Sequence, residues 1–286
     1  MIAFPAQNTL WFWYEQATRR ALHGVLQDAA RKLDAFVRRD FPLDGFEIFI
    51  MPKRLPEAPE TAADPLFLAR YTGLAHRTVH IGDSRPDFLA TPEAPAQVAR
   101  LARLLDLLGS ATLIVHAHHF QKHRAQTAQT LLKGLPGVRI LVENNGFDSP
   151  WGSEPETLRE LLAEYGELGF CLDIAHVKDF AHLSLAAFLD DPLLMARLGE
   201  VHFSYSTKLL DSDPYVARGY PGYGPFHAMF SVLDLAPNPR TVQAIGRVPI
   251  VVEGIVPRED QNLDFVRQEI TLATGASLWR TTEVDA

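Results

Sequence analysis

The stretch RILVENNGFDSPWGSEPETLRELLAEYGELGFCLD, residues 139–173, decides how the rest of the chain reads. It opens with Arg139-Ile-Leu-Val-Glu143, a short apolar run closed by an acid. A helix-like pattern runs from Thr157 to Leu168, and Pro155 sits near its start, where a missing N–H costs little. Gly169-Phe-Cys-Leu-Asp173 then repeats the opening pattern, again closed by an acid. A buried strand, an amphipathic helix and a second buried strand form the repeating unit of a parallel sheet.

The same alternation extends in both directions. Strand-like runs begin at Ile2-Ala-Phe-Pro5, Phe46-Glu-Ile-Phe-Ile-Met51, Thr78-Val-His-Ile-Gly82 and Ala111-Thr-Leu-Ile-Val-His116. After the opening stretch come Glu200-Val-His-Phe-Ser204 and Pro249-Ile-Val-Val-Glu253, making eight runs in all. Leu22 to Phe41 carries apolar residues at Leu22, Val25, Leu26, Ala29, Leu33, Phe36 and Val37, close to helical spacing. Similar patterns occupy Ala94 to Leu108, Ala125 to Leu132, Leu183 to Leu198 and Gln261 to Thr274. This order predicts an α/β chain folded as a (β/α)8 TIM barrel, a single domain over residues 1–286, with its active site at the C-terminal strand ends. A doubly wound sheet is the alternative, but no Gly-rich phosphate loop follows the first strand. The Pro-rich stretch from Pro56 to Pro65 reads as a loop, and no linker divides the chain.

Composition narrows the function classes. The formal charge of -8 offers no basic footprint for nucleic acid or an anionic membrane. The single cysteine, Cys171, excludes an intrachain disulfide framework, and its apolar neighbours mark it as core. No basic leader and no apolar stretch of about 18 residues is present, so a soluble, cytoplasmic protein is expected. Oligomeric state is left open, with room for a homo-oligomer.

Four of the strand runs end at or near Glu143, Asp173, His202 and Glu253. Three carboxylates turned into one barrel mouth would repel unless a cation neutralised them. Three oxygen donors with one imidazole suit Mn2+, Mg2+, Co2+ or Zn2+. Taken singly, each residue has a plainer reading: Asp173 as a helix cap, Glu143 and Glu253 as solvated acids, His202 as a packed core histidine. His176 follows Asp173 by three residues and reads as a substrate donor, a further ligand or a loop histidine. In Val115-His116-Ala-His118-His119, a period of two places His116 and His118 on one strand face and His119 on the other.

Ile140-Leu-Val-Glu-Asn144, Cys171-Leu-Asp-Ile-Ala-His176, Val201-His202, Gly222-Tyr-Gly224 and Val251-Val-Glu253 together resemble the xylose isomerase-like TIM-barrel superfamily. That superfamily contains sugar and sugar-phosphate isomerases and epimerases, and AP endonucleases of the endonuclease IV type. The likeness covers strands five to eight; before them it is architectural. It implies a small carbohydrate substrate and one divalent metal held by Glu143, Asp173, His202 and Glu253. It implies proton transfer through a metal-stabilised enediolate, with Glu143 and Glu253 removing and returning the proton and His176 contacting substrate. In Lys208, six residues after His202, it implies a basic substrate-binding residue, whose plainer reading is a solvated loop lysine.

The endonuclease branch holds three zinc ions with extra ligands from strands three and four. His80 and His116 are counterparts of part of that set, but where its Asp-x-His pair should stand this chain reads Ala217-Arg-Gly219. The alternatives to an isomerase or epimerase are therefore a metal-dependent phosphodiesterase or hydrolase of the same superfamily and a barrel without catalysis. Trp11, Phe12, Trp13 and Tyr14 follow the first strand, where aromatic faces such as that of Trp13 could roof a sugar pocket or simply plug the barrel rim.

Overall fold

A computed structural model describes residues 2–10, 24–51, 58–82, 87–218 and 227–275. Trp11 to Tyr14 and Gly222-Tyr-Gly224 lie outside the described residues.

Eight parallel strands form one sheet: β1 Ala3–Pro5, β2 Gly45–Ile50, β3 His76–Ile81, β4 Thr112–His116, β5 Arg139–Glu143, β6 Gly169–Asp173, β7 Leu198–Phe203 and β8 Ile250–Val252. Their order follows the chain from β2 to β7, then passes to β8 and back to β1. A parallel bridge from Ala6 to Glu47 joins β1 to β2 and nearly closes the ring. The (β/α)8 barrel is thus observed. The principal helices are α1 Val25–Val37, α2 Pro65–Thr72, α3 Ala94–Leu108, α4 Arg124–Gly134, α5 Pro155–Glu164, α6 Pro192–Arg197, α7 Pro239–Ile245 and α8 Asp264–Thr274.

Strand parity explains why the runs look uniformly apolar. On the outer face, Ile48, Ile50, Val79, Ile81, Leu113, Val115, Ile140, Val142, Phe170, Leu172, Val201, Phe203, Ile250 and Val252 pack with helix residues into the main core. The inner face holds small separate clusters, Phe4 with Ala6 and Val251, and Ile114 with Leu141 and Cys171. Two residues further along those inward positions stand His116, Glu143, Asp173 and Glu253. The barrel interior therefore changes from apolar to ionisable toward its C-terminal mouth.

Three expectations are corrected. The helix expected over 183–198 is two pieces, Leu185–Leu189 and α6, because Asp191 caps the second by accepting from the Leu193 and Leu194 N–H groups and Pro192 cannot continue the first. The Pro56–Pro65 stretch is not all loop, since Pro59–Ala62 makes one helical turn. Strand β4 ends at His116, and Ala117–Phe120 is a 3-10 turn, so the period of two does not extend to His118 and His119. The short helices α2 and α7 were not anticipated; each begins at a proline after an Asp64 or Asn238 cap, too few turns to show a face. No helix among the described residues is long and apolar enough to cross a membrane.

Candidate metal centre

Register places the acids and imidazoles side by side. His116 pairs with Glu143 across β4 and β5, Glu143 with Cys171 across β5 and β6, and Asp173 with His202 across β6 and β7. Glu143, Asp173, His202 and Glu253 are all buried, and each brings one donor atom into a single group within 4.8 Å. His202 Nδ1 is 2.9 Å from Glu143 Oε1, 3.3 Å from Glu253 Oε2 and 4.0 Å from Asp173 Oδ2. Donors each about 2.1 Å from one cation lie roughly 3.0–3.4 Å apart. Most of these spacings match that, and Asp173 needs only a small approach.

Asp173 Oδ1 caps the short helix Ile174–Lys178 by accepting from the His176 N–H at 3.0 Å. The capping reading of Asp173 is thus true of one oxygen only. Its Oδ2, with Glu143 Oε2 and Glu253 Oε2, is buried without a hydrogen-bond partner among the described residues. Orphaned buried carboxylate oxygens are costly; those of Asp173 and Glu253 face His202 Nδ1, whereas Glu143 Oε2 faces His80 and His116, and a divalent cation would satisfy either grouping. Burial pushes the Asp173 carboxyl up to about 6, with the neighbouring Glu143 and Glu253 charges adding to the rise. Burial also pushes Glu143 and Glu253 up, but the surrounding imidazoles more than offset it and hold both below the usual range.

Asn144 organises this corner. Its side chain donates to the Asp173 carbonyl at 2.9 Å and accepts from the Asp173 N–H at 2.7 Å. The Asn144 carbonyl lies 2.7 Å from His176 Nδ1, so that nitrogen donates and Nε2 is left toward the cavity. Further imidazoles flank the group. His80 Nε2 and His116 Nε2 are each 3.0 Å from Glu143 Oε2, making a second donor set. His227, which also meets the Ser204 hydroxyl at 2.8 Å, joins His176 around Asp173 Oδ2, 3.6 Å from each ring, as a third set. Burial lowers His116 to about 4, leaving it neutral, whereas Glu143 and Glu47 raise His80 to about 10 against its burial.

A cavity of about 430 Å³ opens above these groups, lined among others by Phe49, Met51, His118, Phe147, His176 and Lys208. His118 Nδ1 is 3.4 Å from Asn145 Oδ1 and enters none of the donor sets among the described residues. Lys208 is no solvated loop residue: its ammonium is 3.1 Å from Asp179 and 4.6 Å from the Phe147 ring centroid. Cys171 is buried beneath Glu143 and His202, and burial pushes its thiol up. Trp13 lies outside the described residues.

Reading the sequence missed Glu47, Glu200 and His227. Glu47 and Glu200 stand inside apolar runs at the inward parity, Glu200 two residues before His202. An acid interrupting a buried strand at that parity was the available signal. His227 comes from a two-residue ribbon strand, His227–Ala228, paired with Tyr205–Ser206, and no periodicity announces it.

No protein-family model matches the sequence, and no curated protein matches it. Solved structures do share its fold. A D-tagatose 3-epimerase-like protein has 15% identity and TM-score 0.54, covering 96% of this chain and 99% of that one. Endonuclease IV from Thermus thermophilus has 18% identity and TM-score 0.55, covering 84% and 93%. A xylose isomerase-like TIM barrel protein from Mycobacterium smegmatis, solved in complex with magnesium, has 13% identity and TM-score 0.52, covering 88% and 90%. The chain therefore shares the (β/α)8 TIM-barrel fold of these structures, and its buried His, Glu and Asp groups could hold a divalent metal ion.

Proposed function

We propose that the protein is a divalent-metal-dependent isomerase or epimerase of a small sugar or sugar derivative. The observation that carries this reading is the gathering of one donor atom each from buried Glu143, Asp173, His202 and Glu253 within 4.8 Å, with orphaned oxygens on Asp173 and Glu253 facing His202. A cation bound there supplies a Lewis acid that polarises a carbonyl and its neighbouring hydroxyl. Glu143 and Glu253 are both held in the ionised form, so either can accept the proton made acidic beside that carbonyl and, carrying it, return it to the neighbouring carbon. His176 Nε2, freed by the Nδ1 contact to Asn144, presents itself to a substrate hydroxyl. Phe49, Met51 and Phe147 give the cavity an apolar lining, and its volume suits a small ligand.

Deuterium exchange into ketoses in D2O, assayed with loaded protein, tests this reading. Glu143→Gln and Glu253→Gln are expected to lower exchange by about 10²-fold or more. Retention of full exchange in both variants would overturn it.

A second reading, a metal-dependent phosphodiesterase, is favoured by the His80–His116–Glu143 and Asp173–His176–His227 donor sets. His227 adds an imidazole to the last of these sets, although no Asp-x-His pair is present in the sequence. Two or three ions per chain with cleavage of abasic DNA would select it over the isomerase.

A further inference from the structure

A carboxylate that the chemistry above does not use ties together the segments following three of the strands. Asp179 follows the short helix Ile174–Lys178 after β6, is almost wholly buried and lines the cavity. Its Oδ1 accepts from the hydroxyl of Ser206, after β7, at 2.6 Å. Its Oδ2 accepts from the N–H of Phe147, after β5, at 2.8 Å and from the Lys208 ammonium at 3.1 Å. The backbone after β5 lies so close that a Cβ on Gly146 would sit 2.5 Å from Asp179 Oδ2. Phe147 in turn covers the ammonium, 4.6 Å from its ring centroid.

Among the described residues that line the cavity, Lys208 carries the one ammonium or guanidinium group, while Asp148 and Asp179 add carboxylates beyond the candidate ligands. An ammonium set against a carboxylate pulls weakly on an incoming anion, because the anion meets both charges at nearly the same distance. It keeps N–H donors that the carboxylate does not engage, and these suit an uncharged hydroxyl. A phosphate or carboxylate group on a ligand would meet Asp179 along with Lys208. We propose that Asp179 is a positioning residue that sets the substrate class through Lys208. The paired ammonium is held as a hydroxyl donor, and the substrate is an uncharged sugar or sugar derivative rather than a sugar phosphate or sugar acid. The inference rests on the isomerase or epimerase reading above and narrows its substrate.

Calorimetric titration of the Mg2+-loaded protein with inorganic phosphate tests the pairing. Phosphate held by the metal contributes alike to every protein, so differences among wild type, Asp179→Asn, Asp179→Glu and Asp179→Asn/Lys208→Gln report on Lys208. Asp179→Asn keeps the shape of the side chain and unmasks the ammonium, so phosphate is expected to bind about tenfold more tightly. Adding Lys208→Gln should abolish that gain, and Asp179→Glu, which keeps the pair, should stay near wild type. Loss of a merely structural contact would lower the folded fraction and would not tighten phosphate. An Asp179→Asn affinity within about twofold of wild type, or a gain that persists without Lys208, overturns the proposal. A second measurement needs no variant: deuterium exchange by the wild type into free ketohexoses is expected to be at least about tenfold faster than into their 6-phosphates. Faster exchange into the phosphates overturns the proposal. Exchange into neither removes the isomerase reading, and the phosphate titration then decides the role of Asp179.

Discussion

Replacing Asn144 with alanine would remove both side-chain hydrogen bonds that hold the end of β6, at 2.9 and 2.7 Å from the Asp173 carbonyl and N–H. Asn144 is fully buried, so water does not readily replace it. At about 1 kcal/mol net per hydrogen bond, and ~1–3 kcal/mol for each backbone group left unpaired, the loss is about 2–5 kcal/mol. The same bonds fix Asp173, so its Oδ2 should drift from the other donors and divalent-metal affinity should fall by about tenfold. Asn144→Asp discriminates further. It keeps an acceptor for the Asp173 N–H but sets a carboxylate oxygen against the Asp173 carbonyl, beside Glu143, and should cost more than alanine near neutral pH. Urea unfolding monitored by circular dichroism measures the first quantity and calorimetric titration the second. A loss below about 0.5 kcal/mol with unchanged affinity for Asn144→Ala would refute the clamp.

Mn2+ at about 100 times its dissociation constant should stabilise the protein by ~2.7 kcal/mol, and a chelator should reverse the gain in a thermal melt. Gly254→Ala should cost about 1–3 kcal/mol, because a Cβ there would lie 2.5 Å from Met229 Cγ and 3.0 Å from its backbone Cα, and should weaken metal binding through adjacent Glu253. Glu269 accepts from the Phe230 and Ser231 N–H groups in the core, and burial pushes its carboxyl from the ordinary 4.5 to about 7. The folded state therefore binds more protons than the unfolded state between those values, and stability should fall as pH rises through that window, by about 3 kcal/mol in all. In Glu269→Gln that part of the decline should vanish in urea titrations at stepped pH. A constant wild-type-to-variant difference from pH 4.5 to 7 would contradict it.

The barrel was legible because outward-facing residues such as Ile140, Val142, Phe170 and Leu172 are apolar whatever the interior holds, so each strand shows as a run. Strands β5 and β6 were bounded to the residue, since an acid closes each. Glu143, Asp173, His202 and Glu253 stood out because they sit at or next to the points where those runs end. Glu47 and Glu200 did not, because an acid within a run looks like a solvated face until parity turns it inward. His118 was misplaced because alternation holds only while a strand lasts, and β4 stops at His116. His227 belongs to a ribbon of two-residue strands, too short for any pattern to be seen.

Anomalous diffraction from crystals equilibrated with Mn2+ addresses the central claim most directly. One peak about 2.0–2.3 Å from Glu143, Asp173, His202 and Glu253 is the expected result. Anomalous signal absent from that point in a well-ordered crystal, with those side chains still gathered around it, would contradict the account.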